Sequence, residues 1–152
     1  MNIMILLHIV AVFVAFAFTT GVGIALTAIA NAGDVRALRT AVRVMRPFNA
    51  AGGIMLLVGV ILGFGAAQMA GFSLGSTWLI VTFIAVALLL VFGFGVHMPW
   101  VAKLRAAAAA SPEDKPSAEL QALIDDRFVR AAGPISGLLW IVILAMMVLR
   151  PA

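Results

Sequence analysis

Residues 47–102 read PFNAAGGIMLLVGVILGFGAAQMAGFSLGSTWLIVTFIAVALLLVFGFGVHMPWVA, 56 residues without one Asp, Glu, Lys or Arg. A helix crosses the ~30 Å hydrocarbon core of a bilayer with about 20 apolar residues. This run is too long for one crossing and long enough for two. Its centre, Gly71-Phe72-Ser73-Leu74-Gly75-Ser76-Thr77, is small and glycine-rich and reads as a turn. The run therefore divides into spans at about 49–70 and 78–98. Residues 1–33 and 131–149 are also free of charge, and each holds one more span, at about 3–29 and 131–149. Unbroken apolar runs, rather than ten-residue alternation, argue against a β-barrel. The expected fold is an all-α integral membrane bundle of four transmembrane helices in a single domain. Residues 33–47 and 101–130 connect the spans on one side, with short amphipathic helices in them.

Composition agrees. Of 152 residues, 64% are apolar and 11% charged, against 45–50% and about 25% in soluble domains. Mean hydropathy is +1.19. That much apolar surface has no place in a water-soluble fold. There are no cysteines, which excludes a disulfide framework, thiolate catalysis, iron–sulfur ligation and any Cys-based zinc site.

The basic residues orient the bundle. Nine of the ten lie in two connections: Arg36, Arg39, Arg43 and Arg46 in the first, and Lys103, Arg105, Lys115, Arg127 and Arg130 in the third. By the positive-inside rule these connections are cytoplasmic, so both termini and the 71–77 turn face the periplasmic side of a bacterial inner membrane. Arg150 alone sits on the outer side. Residues 3–29 lack a basic flank and exceed a signal-peptide apolar core, so they read as a retained helix. Trp78 and Trp100 bracket the third span about 33 Å apart, the spacing of two interfacial anchors.

In the first connection, Arg36, Arg39, Arg43 and Arg46 recur at steps of 3, 4 and 3, and Val35, Leu38, Val42 and Met45 recur one residue earlier. This is an amphipathic helix with Asp34 as its N-cap, ended or bent at Pro47. Its arginine face either simply enforces topology or grips anionic phospholipid headgroups or an acidic partner. In the third connection Ala106–Ala110 is a helical run. Ser111-Pro112-Glu113-Asp114 and Pro116-Ser117-Ala118-Glu119 both read as helix starts. Asp125 or Asp126 can pair with Arg127. Basic charge confined to lipid-proximal loops argues for phospholipid and against nucleic acid.

The spans hold no Asp, Glu, Lys or Arg, which argues against an ion-coupled transporter. Two histidines remain. His8, near the outer end of the first span, shares a face with Val12, Ala15, Thr19 and Gly23; His97 lies near the inner end of the third. About 20 Å of membrane depth separates them, too far for one haem. Met4, Met69, Met146 and Met147 converge on the leaflet of His8, and thioethers with imidazole suit copper(I) or haem. The alternative is gap-filling methionines around a histidine bonded to a neighbouring helix. Gly59 and Gly63 form GxxxG, and Gly52, Gly53, Gly65, Gly93 and Gly95 add small faces for close helix packing, within the chain or against a neighbour. Asn49, Gln68 and Thr82 can bond between helices, and Trp140 needs an internal or subunit contact.

Leu7-His8-Ile9, the arginine-rich first loop, the long polar third loop and the closing Met147-Val148-Leu149-Arg150-Pro151 resemble the bacterial "predicted integral membrane protein" family of unknown function. In layout the chain is also similar to the copper-resistance membrane protein D family and to membrane-embedded protoporphyrinogen oxidases. Those resemblances imply copper handling or haem binding through an intramembrane histidine, with His8 in the comparable place. Two functions are thus expected. The first is an accessory or structural component, with no catalytic centre, that forms a homo-oligomer or joins a larger membrane complex. The other is a haem- or copper-binding protein using His8 with Met4, Met69, Met146 or Met147.

Overall fold

The computed structural model describes residues 3–150, so Pro151 of the closing motif lies outside the described residues. In chain order the elements are α1 (Ile3–Asn31), α2 (Val35–Met69), α3 (Thr77–Phe92), a π-turn (Gly93–His97), α4 (Met98–Ala110), α5 (Ala118–Ile124) and α6 (Arg127–Leu149). The described residues contain no strand. Four helical stretches are long and apolar enough to cross a membrane: Ile3–Asn31, Val35–Met69, Thr77–Ala110 and Ala118–Leu149.

Two spans extend beyond their expected ends. The arginine-bearing helix and the second span are one 35-residue helix with Pro47 inside it. Proline removes a single hydrogen bond, to the carbonyl four residues back. Buried Leu38, Ala41 and Val42 on one side of it and Gly52 and Leu56 on the other hold the helix on course. The third span does not stop at Met98 but runs on to Ala110. Pro99 has no N–H to offer, and the helix slips register just before it: the Met98 N–H donates to the Gly93 carbonyl five residues back. Gly93 and Gly95 make that slip easy.

The connections settle by capping. Gly33 adopts φ +75° between α1 and α2, and the Asp34 carboxylate accepts from the Ala37 N–H at 2.9 Å. Ser111 does not start a helix; it ends α4, its hydroxyl donating to the Ala107 carbonyl at 2.8 Å. The second expected start is real, with Ser117 accepting from the Leu120 N–H at 3.2 Å at the head of α5. Asp126 caps α6 through the Phe128 and Val129 N–H groups instead of pairing with Arg127. Asp125 pairs with Arg130 at 2.9 Å.

Two apolar cores result. One lies mid-span, where Ala15, Leu56, Ala85, Leu89, Trp140 and Ile143 bring together the four crossing helices. Trp140 is internal, its ring edge-to-face with Phe16 at 5.4 Å. The other lies at the basic end. There Leu26, Val35 and Leu38 meet Trp100 and Leu104 of α4, and Leu120 and Ile124 of α5 close over them. Trp100 is therefore not a lipid-facing anchor. It is 6% exposed, and its indole N–H donates to the Leu123 carbonyl at 3.0 Å. At the opposite end Trp78 does stay at the turn, edge-to-face with Phe72 at 5.3 Å, and the Arg150 guanidinium lies 5.0 Å over Phe72. The Thr82 hydroxyl turns back to its own helix, donating to the Trp78 carbonyl at 2.7 Å, and bridges nothing.

Candidate functional site

His8 is held by α2. Its Nδ1 lies 2.8 Å from the Gly59 carbonyl oxygen. A carbonyl only accepts, so Nδ1 carries the hydrogen and donates, and in the neutral ring Nε2 keeps a lone pair. The ring rests on Gly63, where a Cβ would stand 2.6 Å from His8 Cε1. Met4, one turn earlier, rests on Gly65, where a Cβ would stand 3.0 Å from its sulfur. The other candidate methionines lie at the ends of α2 and α6. Met69 ends α2 and is exposed, Met146 is half-buried near the end of α6, and Met147 packs against the mid-span core.

His97 belongs to a different layer. Its Cε1 lies 3.9 Å from where a Gly23 Cβ would stand, and its ring sits 5.9 Å from that of Trp100. Its Nε2 is buried without a hydrogen-bond partner among the described residues. Gly23 is about 22 Å along α1 from His8 at ~1.5 Å per residue. The two imidazoles do not fit a haem ligated by both in one chain. No group of three or more His, Asp or Glu side chains among the described residues could hold a metal ion.

The four arginines of the amphipathic face have different partners. Arg36 pairs with Glu113, and this hydrogen-bonded guanidinium holds the Glu113 carboxyl below its ordinary range. Arg39 donates to the carbonyls of Ala108 at 2.7 Å, Ala109 at 3.3 Å and Ser111. Those oxygens close the C-terminus of α4, where carbonyls lack helical partners and the helix dipole favours a cation. Arg43 and Arg46 stay exposed and form no ion pair among the described residues. Arg39 is thus a strut between α2 and α4. Arg39→Ala is expected to lower stability by about 1.5–3 kcal/mol, the range for hydrogen bonds to a charged group. Arg39→Lys should recover only part of this, since one ammonium cannot reproduce the fork. Thermal unfolding of detergent-solubilised protein reads both.

The glycines also divide. Gly52, Gly59 and Gly63 face α1, where added Cβ atoms would meet Thr19 and Phe18, Val12, and His8 at 3.0 Å or less. The numbers rise in steps of 7 and 4 on α2 as they fall by the same steps on α1, an antiparallel seam. Gly93, Gly95, Gly133 and Gly137 have nothing within 4 Å of an added Cβ. α6 packs along α3 and the π-turn, so these four bare positions lie in one half of the bundle. The Gly133–Gly137 pair escaped the sequence reading, although its spacing of four was the available signal.

A family model described as "predicted integral membrane protein (DUF2269)" matches residues 2–151. No curated protein and no solved structure matches the chain.

Proposed function

Since the chain belongs to this predicted integral membrane protein family, we propose that it is a non-catalytic membrane component that associates through α6, with itself or with a larger membrane complex. The carrying observation is the contrast between the two GxxxG pairs that lie within helices. Gly59 and Gly63 are covered by α1, whereas Gly133 and Gly137 are bare, continued along the same face by exposed Ile141, Leu144 and Val148. Lipid tails are as apolar as the protein's own surface, so bare glycine backbone is most useful where a second helix approaches closely. The excess of basic residues at the end built by α4 and α5 supports a cytoplasmic membrane with both termini outside.

In native membranes, Gly133→Leu/Gly137→Leu is expected to reduce the mildly extracted protein to the size of a single chain, with thermal stability unchanged. Gly53→Leu, also in open space, should leave the larger species intact. An unchanged assembly in the double variant would contradict the proposal.

One observation favours a second reading. His8 donates from Nδ1 to a backbone carbonyl, which is how metal-ligating histidines are usually oriented, and Met4 lies one turn away. Copper or haem that co-purifies with the same preparation, and is lost in His8→Ala, would replace the accessory role with metal handling.

A further inference from the structure

At the basic end, a half-open cleft of about 320 Å³ lies between α1, α2 and α4. Sites for small ligands begin at about 300 Å³. Its walls are apolar, with Val22 and Leu26 from α1 and Met98 and Ala102 from α4. Three polar residues line it from two helices: Asn49 and Arg46 from α2, and Arg105 from α4. Neither arginine makes a salt bridge among the described residues.

Position along the chain gives these arginines a depth. Arg46 is the last charged residue before the 56-residue charge-free run, and Lys103 and Arg105 are the first charged residues after it. That run crosses the membrane twice, through α2 and α3, so both arginines return to the same interface at headgroup level. Their apolar stems can line the cleft while the guanidinium groups stay at the polar boundary. A guanidinium fork suits a phosphate monoanion or diester. We infer that this cleft binds one anionic glycerophospholipid, its phosphate between Arg46 and Arg105 with Asn49 as a further donor, and one acyl chain against the exposed Met98 and Ala102. A water-soluble anion would leave the apolar walls uncovered. A zwitterionic lipid offers the same phosphate but brings its own ammonium group beside two guanidinium groups, so its headgroup of no net charge offsets them less well. The site is independent of the α6 face proposed for association.

The test measures lipid retained by full-length protein after exchange into vesicles of phosphatidylglycerol or phosphatidylcholine. Wild type is expected to hold phosphatidylglycerol in about one-to-one ratio and phosphatidylcholine poorly. Arg46→Gln/Arg105→Gln should weaken retention about a hundredfold or more, as for the loss of two charge-assisted contacts to one phosphate. Arg43→Gln/Lys103→Gln removes two equally exposed charges from the same end and should change it less than about threefold. Ala102→Trp fills the cleft without altering charge and should also release the lipid; if the arginine variant does not fold, this variant decides alone. Equal weakening in the two charge variants would mean a diffuse basic surface and overturn the site. So would undiminished retention in Ala102→Trp, or displacement of the lipid by inorganic phosphate at millimolar concentration, which would mark a free-phosphate site.

Discussion

Leucine at Gly59 or Gly63 is expected to part α1 from α2 and to leave little monodisperse protein after extraction. At Gly59 the new Cβ alone would stand 3.0 Å from Val12 Cγ2 and 3.5 Å from the Val12 backbone nitrogen. The backbone of a packed helix cannot yield as a side chain can, so overpacking should cost about 3 kcal/mol or more. Gly63 adds a specific coupling. A methyl there meets the His8 ring at 2.6 Å, and the ring cannot swing away without leaving the Gly59 carbonyl. Gly63→Ala should therefore lose that hydrogen bond, worth about 0.5–1.5 kcal/mol, plus the strain of displacing the ring. Alanine's better helix propensity returns about 1 kcal/mol. His8→Ala/Gly63→Ala should be more stable than the sum of the single changes implies, because the truncated side chain makes room. Strict additivity in denaturant titrations of the four proteins would contradict the seam as described.

Trp100→Ala is the second large effect. The indole is almost fully covered by the basic-end core and donates to the Leu123 carbonyl, so it pins the segment after α4 down onto the bundle. Removing a buried tryptophan costs about 3–5 kcal/mol. Here it should also release α5, whose seven residues are too short to persist unpacked. The expected result is a lower unfolding midpoint together with rapid proteolysis within residues 111–125. Trp100→Phe should keep most of the packing and lose the hydrogen bond, falling between the two. Wild-type protease resistance in Trp100→Ala would show that α5 is held by other means.

Span number and turn position could be read from the sequence because they rest on charge-free runs of 19 residues or more, which no local detail can offset. The ends of those spans could not. Pro47 reads as either ending the helix or bending it into the second span, and packing on both sides of it, which outweighs one missing hydrogen bond, keeps the helix continuous. The π-turn before Pro99 is a register slip that apolar periodicity does not record. The Arg36–Arg46 face was legible as amphipathic, and its apolar partners Val35, Leu38 and Val42 are buried as expected. What engages Arg36 and Arg39 was not, because Glu113 and the carbonyls at the end of α4 lie about 70 residues away in sequence. GxxxG carries a similar ambiguity: Gly59–Gly63 and Gly133–Gly137 look alike as strings, and only the fold distinguishes the covered pair from the bare one.

The absence of native cysteines makes one measurement unusually direct: single cysteines introduced along two exposed helix faces and oxidised in native membranes. Ile141→Cys and Leu144→Cys continue the Gly133–Gly137 face of α6, and Ile54→Cys and Ile61→Cys lie on the exposed side of α2. Association through α6 predicts discrete cross-linked species, to a second copy or to one defined partner, from the α6 cysteines and none from the α2 pair. Cross-linking from α2 alone, or equally from both faces, would contradict it.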